Sequence, residues 1–248
     1  DGSSEALKRS SLLRARAYLE SGNLNQAKQV LSALAANHPD DRYILADLAA
    51  VYRRTGEDSL AEPIFRRLVR LYPESQAYIT DLAFLLHDNG RFSDTRKLLE
   101  TFISAHPETG PQFELLLADC IFQDGEDSLA LSSCERIAAR YSDSLAILQS
   151  AAGVVLARAY PTRAAEIFRQ ALKISPDDYI SLKGLGVSLL ESDPPEAARI
   201  LEKTIPLDER DFETAYLLAE YLRTKNTGRE TSLYQLALAR LDSTRNRA

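Results

Sequence analysis

Three histidines and two cysteines are the side chains here best suited to acid–base, nucleophilic or metal chemistry near neutral pH. His38 and His106 each directly precede a proline, Pro39 and Pro107, and occupy equivalent places in a repeating pattern. Equivalent places in a repeat point to a structural habit rather than a site. No Cys, Asp or Glu cluster stands beside them at metal-ligand spacing. His87 has Asp81 and Asp88 close in sequence, the company a general base keeps, so an enzyme working through His87 is one formal alternative. Cys120 and Cys134 fall in one helix–turn–helix unit. They are either two buried thiols or a bridge, which requires Cα atoms within about 7 Å. There is no glycine-rich phosphate loop, Gly-x-Ser-x-Gly elbow or His-Glu-x-x-His helix. The expectation is a non-catalytic chain with no cofactor and no resident metal.

Charge narrows the partner class. The 248 residues carry a formal net charge of −6, with both signs interspersed. Nucleic-acid binding usually needs a basic stripe, so no nucleic acid is expected. Arg53, Arg54, Arg66, Arg67 and Arg70 form the one basic cluster, either a patch for an acidic partner or a solvated face laced with Asp58 and Glu62. No run of eighteen apolar residues occurs, so membrane insertion is not expected. The sequence opens at Asp1 without Met or signal peptide. That reads as a processed or cut chain, soluble, cytoplasmic or periplasmic, with its address left open.

The elements that must position these residues repeat. In Arg42–Pro73, Leu45, Leu48, Ala49 and Tyr52 mark one face of a helix, and Leu60, Ala61, Ile64, Phe65 and Leu68 mark a second. Gly56 ends the first helix, Asp58 or Ser59 is the expected cap of the second, and Pro63 is read as lying near its first turn. Pro73 closes the unit, and Glu74-Ser75 is the expected cap of the next. The place of Ala49 is taken by Ala15, Ala83, Ala118, Ala152, Gly186 and Ala219, always small. The place of Ala61 is taken by Ala27, Thr95, Ala130, Ala164, Ala197 and, with a gap, Ser232; that of Phe65 by Leu31, Leu99, Cys134, Phe168, Leu201 and Leu236. Gly22, Gly56, Gly90 and Gly125 mark turns between helices, and Pro39, Pro73, Pro107 and Pro176 close units. Unit four starts one residue late, after Gly110-Pro111; the turn of unit six is short, and that of unit seven, at Lys225–Gly228, is long.

A period of about 34 residues with small residues where two helices touch resembles the tetratricopeptide repeat family. The resemblance spans nearly the whole chain, although the family's early Trp is absent. It implies an all-α, right-handed superhelical solenoid of about seven stacked antiparallel helix pairs. The expected organisation is a single domain, 1–248, with units near 4–41, 42–75, 76–110, 111–144, 145–178, 179–211 and 212–242. It also implies a concave groove lined by first helices that receives a peptide or helical segment of a partner protein, as an adaptor or scaffold does. Arg16, Tyr43, Asp47, Arg53, Phe84 and Asp119 are the expected groove contacts. The family's clamp for chaperone C-termini uses Lys and Asn, where this chain has Leu12 and Arg16, Ala46 and Ala50, Thr80 and Phe84, Leu115 and Asp119, and Gln149 and Gly153, so that role is not expected. Two other roles remain open. One is the helical-repeat portion of a larger bacterial envelope or polysaccharide-export protein. The other is a structural protein that forms homo-oligomers through terminal helices, using Leu233, Leu236, Leu238 and Leu241.

Overall fold

The computed structural model describes residues 2–223 and 228–245. Among the described residues there are fourteen α-helices and no strand. They form two compact units, Asp1–Thr109 and Gly110–Ala248, which part where the repeat slips by a residue ahead of Pro111. The first unit holds α1 (Gly2–Glu20), α2 (Leu24–Asn37), α3 (Arg42–Arg54), α4 (Asp58–Leu71), α5 (Gln76–Asp88) and α6 (Phe92–Ala105). The second holds α7 (Pro111–Gln123), α8 (Asp127–Arg140), α9 (Leu145–Ala157), α10 (Pro161–Ile174), α11 (Tyr179–Ser188), α12 (Pro194–Thr204), α13 (Phe212–Arg223) and α14 (Glu230–Arg245). Each odd helix packs on the even helix that follows it, giving seven pairs. First helices begin at Arg42, Gln76, Pro111, Leu145, Tyr179 and Phe212, where units two to seven open.

The turn within a pair explains its tightness. Gly22, Gly56, Gly90 and Gly125 all have φ between 71° and 80°, the left-handed region that closes a helix. At the second turn, Glu57 N–H donates to Tyr52 C=O at 2.8 Å and Gly56 N–H to Arg53 C=O at 3.0 Å, the paired bonds of a Schellman motif. The fifth pair keeps this turn without glycine: Ala159 has φ 63°.

Small residues then let the pairs close up. Ala15, Ala49, Ala83, Ala118, Ala152 and Ala219 are fully buried, as are Ala27, Ala61, Thr95, Ala130, Ala164 and Ala197. In the first unit, Leu48 and Val51 of α3 join Ala15, Ala27 and Leu31 in one cluster, and Phe65 and Leu68 of α4 join Leu82 and Leu85 of α5 in the next. The second unit has a continuous core from Leu115 to Ile200 and a smaller cluster of Ala198, Leu218 and Leu222.

Four local expectations need correction. Glu57, not Asp58 or Ser59, is the residue before α4, and its side chain makes no capping bond; Asp58 is the first helical residue, where its charge meets the positive end of the helix dipole. Ser75 precedes α5 without a side-chain cap, whereas Asp41 caps α3 by accepting from the N–H groups of Tyr43 at 3.0 Å and Ile44 at 3.3 Å. Pro63 sits inside α4, past the first turn. In the last pair Ser232 is exposed and Leu236 half-buried, while Ala237 and Arg240 are buried. The inward face of α14 therefore starts one position later than the pattern predicts. Lys225–Thr227 of its turn lie outside the described residues.

Candidate protein-binding surface

In the first unit the sequence-predicted contacts sit on three first helices linked by ion pairs. Arg16 Nε on α1 donates to Asp47 Oδ2 on α3 at 2.7 Å. Arg53 Nη2 on α3 donates to Asp88 Oδ2 on α5 at 2.9 Å. These partly exposed pairs are worth at most about 1 kcal/mol each. Their effect is to hold three neighbouring helices in register and to neutralise one another.

Two expected contacts are exposed aromatics. Tyr43, at the start of α3, is 51% exposed, with the Arg42 guanidinium 4.7 Å above its ring and donating to its Oη at 2.6 Å. Phe84 on α5 is 44% exposed. Asp81 lies one turn before Phe84 on the same helix face and lines a recess of about 290 Å³ with Ala50, Arg53, Arg54 and Phe65. Among the described residues no hydrogen bond reaches the Asp81 carboxylate, since the Arg53 donor goes to Asp88. Burial raises its pKa above the usual aspartate value, and the nearby Arg53 charge only partly offsets this. The recess thus holds a half-buried carboxylate short of hydrogen-bond donors, beside an exposed ring.

Asp119 belongs to the second unit. There Arg158, just past α9, donates to its Oδ1 from Nε at 3.0 Å and from Nη2 at 2.7 Å. Sequence reasoning missed Asp88 as the partner of Arg53 and Arg158 as the partner of Asp119, because these residues lie at helix ends, outside the repeating face. A related set was missed for the same reason. Lys8 donates to Asp41 at 3.2 Å, Gln149 to Asp178 at 2.6 Å and Lys183 to Asp211 at 2.9 Å, so a side chain of one first helix holds an aspartate at the start of the next. The repeat spacing of Asp41, Asp178 and Asp211 was the available signal.

The residues with the greatest chemical potential are engaged structurally. His38 and His106 close α2 and α6, each N–H donating back to a helical carbonyl, Leu34 at 2.8 Å and Phe102 at 2.9 Å. His87 presents its ring edge-on to Phe92, with centroids 5.1 Å apart. Cys120 and Cys134 are buried and not bridged by a disulfide, and burial pushes the Cys134 thiol up to about 12. Of the basic cluster, Arg66 pairs with Glu62 at 2.8 Å and Arg67 with Asp40 at 2.5 Å, which favours the solvated, charge-laced face. Among the described residues no group of three His, Cys, Asp or Glu is arranged to hold a metal ion, and no helix is long and apolar enough to cross a membrane.

Repeated helix pairs carrying an exposed, mixed polar and aromatic row define a helical-repeat fold. Residues 12–75 match the tetratricopeptide repeat family model, and the chain as a whole shares the fold of solved tetratricopeptide repeat proteins. A tetratricopeptide repeat protein from Parabacteroides merdae superposes with TM-score 0.69 at 15% identity, covering 93% of this chain and 98% of that one. The C-terminal part of a repeat protein from Cytophaga hutchinsonii gives 0.65 at 16%, covering 92% and 94%. YrrB, described as a repeat protein with an unusual peptide-binding site, gives 0.50 at 12%, covering 79% and 97%. No curated protein sequence matches the chain.

Proposed function

We propose that this chain is a non-catalytic protein-binding scaffold whose first unit receives an extended or helical segment of a partner protein along α1, α3 and α5. The observation that carries the reading is the Asp81 recess beside Phe84. A partner Lys or Arg seated on Asp81 would supply the donors it lacks, and an apolar partner residue would cover Phe84 or Tyr43. Arg16, Asp47 and Arg53 then set register as much as affinity, since each is already paired within the scaffold. In the second unit, Asp119 plays the same part with Arg158. Fold likeness to a protein described as having a peptide-binding site is consistent with this role.

The test is selection from a displayed peptide library, followed by titration of the enriched peptides. Enriched peptides are expected to carry a basic residue within one helical turn or a few extended residues of an aromatic or aliphatic one. Asp81→Asn and Phe84→Ala, each checked for helicity, should weaken them about tenfold or more. Affinity should also fall as pH is lowered through the raised pKa of Asp81, because its protonated form no longer attracts a cation. Peptides that bind both variants as tightly as the native chain would move the site off this row.

A further inference from the structure

The last helix pair leaves a groove open that every other pair in its unit fills. It lies between α13 and α14, has a volume of about 480 Å³, and is lined by Phe212, Tyr216, Tyr234, Ala237, Leu238 and Leu241. Elsewhere in each unit a second helix packs against the first helix of the following pair: α2 on α3, α4 on α5, α8 on α9, α10 on α11 and α12 on α13. The open groove is therefore the next interface in a series, with its seat present and its docking helix missing from the described residues.

What such a seat takes can be read from the helices that fill its counterparts. In α3 the residues buried toward the preceding pair are Leu48 and Val51, with Ile44 buried one turn earlier. That spacing is i, i+4, i+7. The outer side of α14 repeats it in Tyr234, Leu238 and Leu241: Leu238 is 60% exposed, while Tyr234 and Leu241 are half-buried and Tyr234 packs on Tyr216 of α13 and donates to Glu220. Direction agrees as well. A second helix joined to the following first helix by a short turn runs antiparallel to it. A helix also meets its own copy antiparallel when the two-fold axis runs perpendicular to it. Charge does not oppose the contact. Between Tyr234 and Leu241 the only ionisable side chain is Arg240, which turns inward and donates to the carbonyls of Asp211 at 2.9 Å and Ile205 at 2.7 Å. No exposed like charges would face each other about an axis near Leu238.

The first helix of the first unit differs. At the three places that α3 fills with Ile44, Leu48 and Val51, α1 has Ser10, Arg14 and Ala17, so it presents no large apolar side chain there; Arg14 and Ala17 are exposed. A head-to-tail contact would have to place Arg14 against the aromatic groove.

We infer that α14 is a self-association helix: two copies of this chain form an isologous dimer in which α14 of each lies in the α13–α14 groove of the other. The inference does not depend on the binding role assigned to the first unit.

Sedimentation equilibrium of the full chain over a wide concentration range tests it. The expected result is a monomer–dimer equilibrium that Leu238→Glu shifts toward monomer by at least tenfold in dissociation constant, with unchanged helicity. A second variant guards against a folding artefact. Leu238→Cys lies close to the two-fold axis, so mild oxidation should link two chains through that position, and the native Cys120 and Cys134 are buried and should not compete. A chain that stays monomeric at high concentration overturns the proposal. So does a dimer that tolerates Leu238→Glu and leaves Leu238→Cys uncrosslinked, and so does open-ended growth beyond the dimer, which signals a head-to-tail contact.

Discussion

At the scale of single residues, side-chain size and backbone conformation carry most of the specification. A small residue between two helices is readable from sequence because its neighbours at the same repeat position are small too. All seven, from Ala15 to Ala219, are buried as expected. Gly186 shows why size matters: a Cβ there would stand 2.5 Å from Leu201 Cδ2. The turn residues were legible only where glycine marks them. Ala159 escaped notice because its side chain says nothing about the left-handed backbone it adopts, φ 63°. Its conformation follows from its place in the repeat, where Gly125 stands in the preceding pair with φ 80°. An L-residue in that region carries a steric penalty of about 1–2 kcal/mol, partly offset by the greater freedom glycine has when unfolded. Ala159→Gly should therefore raise stability by about 0.5–1 kcal/mol, seen as a higher urea midpoint. An unchanged or lower midpoint would mean that the turn accommodates the methyl group without strain.

Whole elements were legible where their apolar period is long. The first helices of pairs two to seven start where the pattern places them, but their caps and interruptions do not follow from periodicity. Asp41 caps α3 while Ser75, one repeat later, makes no cap bond, and nothing in residue type ranks them in advance. The slip in α14 has a related origin. A longer turn shifts which residues face inward, so Ala237 and Arg240 are buried where Leu236 was expected. Pro63 is the sharpest local conflict. It lies inside α4, where it removes the N–H that would bond the Ser59 carbonyl, yet the helix persists because Ala61, Phe65 and Leu68 are buried on its inner face. Tertiary packing has overruled a residue that opposes a helix by about 3 kcal/mol. Pro63 is itself exposed, so Pro63→Ala should restore the hydrogen bond without disturbing the core. A gain of about 1–3 kcal/mol in denaturant unfolding is expected; a loss would show that the proline sets a bend the packing requires.

For the molecule as a whole, the candidate site was legible as a set of positions and not as a set of partners. Arg16, Asp47 and Phe84 fall on first helices by repeat alone. That Arg16 meets Asp47, or that Arg53 prefers Asp88 to Asp81, depends on how neighbouring helices are rotated, which periodicity does not encode. These inter-helix contacts also set how stability depends on pH. On the acid side, burial opposes the charge on Asp41, Asp178 and Asp211, but hydrogen bonds outweigh it and hold all three below the usual aspartate value. Asp41 is held by the N–H groups of Ile44 and Tyr43 and by Lys8. Asp178 is held by Ser181 and Gln149, and Asp211 by Thr214, Lys183 and Tyr179. A carboxylate depressed in the folded state stabilises it above the unfolded pKa, and that stabilisation is lost as pH falls through the folded value. On the alkaline side burial raises Cys134 to about 12, and burial with the Asp211 hydrogen bond raises Tyr179 to about 12. Both groups ionise in the unfolded chain first, from their ordinary values of 9.0 and 10.0, so stability declines once pH passes about 9. Thermal melts should give a plateau between about pH 4 and 9 with a fall on each side. Asp41→Asn and Asp211→Asn should lower the plateau while flattening the acid limb, and Cys134→Ala should flatten the alkaline limb. Acid limbs of equal slope in the native chain and the double asparagine variant would show that these aspartates do not couple the helix pairs to pH.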